Sequence, residues 1–221
     1  MRRRAALELA AVAVATALFL LLVRRRPVVV DAGLALLALA LVVLSASETR
    51  RRFWGEPAEP LWARRRRAWR DVTVGTAAVA ALFAAAGALA TWWMSGEPDQ
   101  MPARLLRPTL PLALVLFVPW AGLQQTLFQF YLLGRLRALC PGARPGALAA
   151  LAGVLFGLVH LPALDVAAVT VVGGALWARF YLRDRLLAPL AVSHAVLGAT
   201  YYYWVRGEDL LARWTATLTA G

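Results

Sequence analysis

The sequence predicts an all-α protein that crosses a membrane about seven times. Three observations lead there. Hydrophobic residues make up 61% of the 221-residue chain, mean hydropathy is +0.64, and the apolar residues gather in runs separated by arginine clusters. Soluble domains average nearer half apolar, and a bilayer-crossing helix needs about 20 apolar residues.

The first span is expected from Ala5 to Val23, between Arg2-Arg3-Arg4 and Arg24-Arg25-Arg26. It is long for a signal peptide and lacks a small-residue cleavage site before the second arginine run, so it reads as a retained span. The second runs from Val28 to Ala46, and the third from Val72 to Met94, ending in the interfacial pair Trp92-Trp93. The fourth runs from Leu110 through Gln124 and Gln125 to Leu136, with a kink expected at Pro119, because proline removes a backbone hydrogen bond. The fifth covers Gly146 to Leu161, the sixth Ala163 to Leu182 and the seventh Leu186 to Val205, where Tyr201-Tyr202-Tyr203-Trp204 reads as an aromatic belt. The chain divides into three N-terminal spans with an Arg-rich loop at 47–71 (residues 1–107), a polar-cored helical region (108–206) and a short tail (207–221).

All 24 basic residues are arginine, and the net charge is +12. The arginines lie between apolar spans, which points to topology and anionic lipid and away from a nucleic-acid partner. An N-terminus inside places 17 arginines inside and 7 outside, with Arg24-Arg25-Arg26 among the outside ones. The expectation is an integral protein of the bacterial inner (plasma) membrane with a cytoplasmic N-terminus. The segment Glu48 to Asp71, with Arg50-Arg51-Arg52, Arg64-Arg65-Arg66-Arg67 and interleaved Trp54, Trp62 and Trp69, reads as a positive-inside stop signal in preference to a lipid-binding surface helix. Glu8 and Asp31 lie near span ends and are expected to reach solvated headgroups. Cys140 is the only cysteine, so no internal disulfide forms.

His160 and His194 are the only histidines, and both sit in apolar helices. An ionisable ring inside a span is a functional-site hypothesis by default; its structural alternative is a neutral ring hydrogen-bonded between helices. One helix upstream lies a polar cluster, Gln124, Gln125 and Gln129. Residues four apart share a helix face, which pairs Gln125 with Gln129, Phe156 with His160 and His194 with Gly198.

The order and spacing of these residues resemble the CPBP family of CAAX-processing and bacteriocin-processing intramembrane proteases, also called Abi. Its motifs are Glu-Glu-x-x-x-Arg, Phe-x-x-x-His and His-x-x-x-Asn. The second is matched by Phe156 and His160. The first falls on Gln124, Gln125 and Gln129, all substituted. The last keeps His194 but has Gly198 for the asparagine. Gly173-Gly174-Ala175-Leu176 and the run Leu187 to His194 also read like the family, and the likeness covers about Pro108 to Tyr203.

The resemblance implies a CAAX-protease-like helical core. It also implies a glutamate that activates water, and histidines that, with the asparagine, hold a metal or stabilise the oxyanion. The catalytic positions would be Gln124, Gln125, Gln129, His160, His194 and Gly198, and a divalent metal such as zinc would rest on His160 and His194. A glutamine has no accessible basic state and cannot act as general base. A catalytic zinc wants about three protein ligands, and an amide oxygen is a poor third. The loss is consistent, since neutral Gln129 leaves no arginine stranded beside the missing carboxylates. The expectation is a catalytically impaired homologue that keeps a membrane cleft for a membrane-embedded peptide or a lipid-modified protein. Two alternatives stay open: an active endopeptidase using another acid, Asp165 being a candidate, and a small transporter or scaffold. The predicted spans also put His160 about 21 Å and His194 about 12 Å from their helix starts, so the two rings meet only if the fifth helix tilts or starts low.

Overall fold

The computed structural model describes residues 2–22, 28–96 and 100–219, and all regular structure among them is helical. In order these are α1 (Arg2–Leu22), α2 (Val28–Thr49), α3 (Leu61–Ser95), α4 (Gln100–Leu105), α5 (Leu110–Gln125), α6 (Leu133–Leu139), α7 (Pro145–Leu158), α8 (Leu164–Asp184), α9 (Ala188–Thr200) and α10 (Leu210–Thr219). Three wider π-helical turns extend them: Arg50–Trp54 after α2, Thr126–Leu132 joining α5 to α6, and Tyr201–Arg206 after α9.

Among the described residues three stretches are long and apolar enough to cross a bilayer: Leu61–Met94, Met101–Leu139 and Leu164–Asp184. Pro145–Leu158, at 14 residues, is apolar but shorter than the ~20 a crossing takes. Leu44, Leu82, Trp93, Val115 and Val172 stand exposed on these and neighbouring helices. In water such a surface would be an aggregation liability; against acyl chains it is the arrangement a spanning helix requires. The chain is an integral membrane protein.

The Arg-rich loop expected over 47–71 is mostly helix. α2 and its π turn run to Trp54, and α3 starts at Leu61. The breakers Gly55, Pro57 and Pro60 confine the interruption to 55–60. From Leu61 to Asp71 there is neither glycine nor proline, and arginine, alanine and leucine are strong helix formers. Arg24-Arg25-Arg26 and the Asp31 side chain, for which solvated positions were expected, lie outside the described residues.

The chain forms two compact units, Met1–Arg65 with Leu123–Leu187, and Arg66–Gly122 with Ala188–Gly221. Each takes residues from both sides of position 107.

In the first unit α7 and α8 lie almost backbone to backbone. A Cβ on Gly153 would come 2.7 Å from Ala175 N, one on Gly157 2.8 Å from Ala167 O, and one on Gly174 2.9 Å from Phe156 Cβ. Small residues four apart on a helix permit this approach, and inside a membrane close packing supplies much of the association energy. Elsewhere in the unit, Arg135 is 1% exposed and held by several partners. Its Nε donates to Glu8 at 2.8 Å, its Nη1 to Thr49 Oγ1 at 2.8 Å, and its guanidinium lies over the rings of Tyr131 (3.5 Å) and Phe53 (4.4 Å). Glu8 also accepts from Tyr131 (2.9 Å) and Arg4 (2.8 Å). Glu8 thus ties α1 to α6 instead of reaching the headgroups, because a buried guanidinium demands a carboxylate.

The second unit packs Ala113, Phe117 and Ala121 of α5 against Ala195 and Ala199 of α9 and against Tyr203. The expected aromatic belt is partly interior. Tyr203 is 0% exposed and donates to Asp209 at 2.8 Å, and Tyr201 packs edge-on against Phe83. A wide π turn leaves carbonyls to satisfy, and Arg104 donates to two of them, Trp204 O (2.7 Å) and Val205 O (2.5 Å). Asp209 accepts from Ala212 N at 3.0 Å, capping α10. Burial pushes its carboxyl up, but bonds from Thr109, Ala212 and Tyr203 outweigh this and hold it below the ordinary carboxylate range.

Candidate functional site

The continuous helix from Leu110 to Leu139 carries the first polar cluster at its π turn. Such turns replace i→i+4 bonding with i→i+5 and occur often at functional sites. Gln125 ends α5 and Gln129 lies inside the turn; both are 0% exposed, while Gln124 is half-buried. Neither amide atom of Gln129, nor Oε1 of Gln124, finds a hydrogen-bond partner among the described residues. Burying an amide without partners costs about 1–3 kcal/mol per group.

The turn reaches α7 through Phe128, whose ring meets Phe156 edge-on at 4.7 Å. Phe156 is 0% exposed and also contacts His160 (5.0 Å) and Trp177 of α8 (5.8 Å). His160 lies just past the helix proper, which stops at Leu158 and not at Leu161 as expected. The turn before Pro162 replaces the last helical residues, in keeping with proline's restriction of the residue preceding it. Its Nδ1 lies 2.7 Å from Phe156 O. A carbonyl only accepts, so Nδ1 carries the hydrogen, and Nε2 of the neutral ring is the bare nitrogen. The ring thereby satisfies one of the carbonyls left over at the helix end. Asp165 is exposed in the first turn of α8, whose N-cap residue is Ala163.

His194 and Gly198 belong to the second unit. His194 is 4% exposed and meets the Phe117 ring edge-on at 5.6 Å. The residue before it, Ser193, has its Oγ 2.7 Å from Thr76 Oγ1, which fixes α9 to α3. A Cβ on Gly198 would lie 3.0 Å from Phe117 Cζ, so the phenylalanine ring fills the space where the family's asparagine side chain would stand.

The polar residues of the first two motifs therefore sit in one unit and those of the third in the other. Among the described residues no three His, Cys, Asp or Glu side chains come together. This donor set does not fit the three-ligand centre of a catalytic zinc. Sequence reasoning missed Arg135, Phe117 and the glycine seam. Only the seam had a local signal, the Gly153-x-x-x-Gly157 spacing.

Comparison with protein families matches residues 106–200 to the one described as Type II CAAX prenyl endopeptidase Rce1-like. Comparisons with curated proteins and with solved structures give no match. The matched segment runs from just before α5 to the end of α9 and includes Gln124, Gln125, Gln129, His160, His194 and Gly198. Residues 106–200, somewhat under half of the chain, are thus similar to the Rce1-like family of type II CAAX prenyl endopeptidases, consistent with the CPBP likeness of Phe156, His160 and His194.

Proposed function

We propose that this chain is a catalytically impaired homologue of the CPBP membrane proteases that holds a peptide or a lipid-linked partner without cutting it. The observation that carries the reading is Gln129, fully buried with both amide atoms lacking a partner among the described residues. A carboxamide offers an acceptor and two donors, which complement the C=O and N–H of an extended peptide. Gln124, at the position of the family's leading glutamate, cannot take the proton of an attacking water. The engagement of Glu8 by Arg135 and the exposure of Asp165 support the reading that neither stands in for it.

The proposed setting is the bacterial inner (plasma) membrane with the N-terminus in the cytoplasm. The 17 to 7 arginine split supports this. So does an open cleft in the first unit lined from four segments assigned to the inside: by Arg2 and Arg3, by Arg52 and Phe53, by Arg137, Cys140 and Pro145 among others, and by Arg183 and Arg185.

The test is a peptidase assay on purified full-length protein in lipid. The wild type is expected to show little or no cleavage and Gln124→Glu to raise activity, a positioned general base being worth about 10²–10⁴-fold. Robust cleavage by the wild type, abolished by His160→Ala, would replace this reading with the active endopeptidase.

A further inference from the structure

The cleft just mentioned has a volume of about 1280 Å³, above the roughly 300–1,000 Å³ of common ligand pockets. Seven arginines line it, among them Arg3, Arg52, Arg137, Arg179, Arg183 and Arg185, and no aspartate or glutamate does. Two carboxylates nearby are directed to particular guanidinia: Glu48 to Arg4 and Arg52, and Asp184 to Arg183. Among the described residues no carboxylate lies within ion-pair distance of Arg3, Arg137 or Arg179.

The scaffold forces these charges together. Arg137 and Arg185 both lie over the ring of Trp54, at 5.0 and 5.5 Å. Arg185 has φ 53°, the left-handed conformation that glycine usually supplies after a helix. It is held there by its N–H to Tyr181 O (2.9 Å) and by its guanidinium on Trp54 O and Gly55 O. Burial, and next the positive charge of Arg137, push the Arg185 guanidinium below its ordinary value. Like charges packed around a cavity favour the entry of an anion.

The remaining wall is apolar, with Phe53, Leu148 and Phe180. Arginine forks grip phosphate oxygens in pairs, and basic pockets beside membrane helices suit lipid headgroups. The cleft lies at the Pro145 end of α7, and Leu148 is roughly 15 Å along the helix from its other end at Leu158, beyond which His160 lies. It is therefore separate from the polar motif residues, none of which lines it.

We infer that this cleft binds a phosphate-ester anion bearing at least two negative charges, and that its source is the headgroup of an anionic phospholipid of the cardiolipin type. Cys140 lines the cleft, is exposed and is the only cysteine, so a maleimide reports occupancy at a single position. The experiment measures the labelling rate of Cys140 in detergent-solubilised full-length protein titrated with cardiolipin, phosphatidylcholine or inorganic pyrophosphate. Cardiolipin is expected to slow labelling saturably and phosphatidylcholine to leave it unchanged. Arg137→Gln with Arg179→Gln should weaken the cardiolipin effect about tenfold or more, and Arg65→Gln with Arg66→Gln, which removes equal charge outside the cleft, should not. Equal weakening by both pairs, or equal slowing by both lipids, overturns the site. Protection by pyrophosphate but not by cardiolipin overturns the lipid source. Should the cleft variant not fold, the wild-type lipid comparison decides alone.

Discussion

At Gly198 the missing side chain and its neighbour have to be read together. The Phe117 ring stands where a side chain would go, so Gly198→Asn overpacks the core of the second unit. The expected loss is about 1–3 kcal/mol, seen as a lower unfolding midpoint in detergent. Phe117→Ala combined with Gly198→Asn should recover part of it, whereas an unchanged midpoint for Gly198→Asn alone would mean that the ring yields freely. Restoring the motifs with Gln124→Glu, Gln129→Arg and Gly198→Asn therefore needs a change at Phe117 as well. The glutamines and histidines were legible because motif spacing is a property of the chain. Phe117 was not, since its contact with Gly198 joins distant positions that no local pattern links. The tautomer of His160 was hidden for a different reason: it depends on α7 ending at Leu158, and helix ends are the least determined part of a hydropathy pattern.

The helices themselves were mostly evident from hydropathy, but their joints were not. Hydropathy cannot see a π turn, because Thr126–Leu132 is as apolar as the helix on either side. It also counted Arg64 to Arg67 as loop, although Arg64 donates to Asp184 O at 2.8 Å and to Glu59 O at 3.1 Å from within the first turn of α3. The tie between α1 and α6 is the element-scale feature to test. Glu8→Gln leaves Arg135 buried without its counter-charge and is expected to cost about 3 kcal/mol. Glu8→Gln with Arg135→Met should recover most of that loss, since well-packed apolar replacements of a buried pair are often neutral. Unfolding midpoints of the three proteins decide it; a double variant as unstable as Glu8→Gln would show that Arg135 matters chiefly through Thr49 and the two aromatic rings.

Across the whole molecule the expectation is that reporter fusions in the segment 55–60 and at the N-terminus read as cytoplasmic. An external signal from 55–60 would reverse the orientation, and with it the side on which the arginine cleft opens. Charge bias along the chain is what carries this expectation. The division into two units was not readable, since each is assembled from stretches far apart in sequence. The exclusive use of arginine has a further consequence for how such a cleft can be controlled. Guanidinium groups do not release their protons in proteins, so acidification or alkalinisation within the range a cell survives cannot switch the cleft on or off. The cell's remaining means of control are ionic strength, which screens exposed charge within about 10 Å, and the composition of the surrounding bilayer. Occupancy that follows the proportion of anionic lipid, and ignores pH through the neutral range, would make the protein a reader of membrane composition.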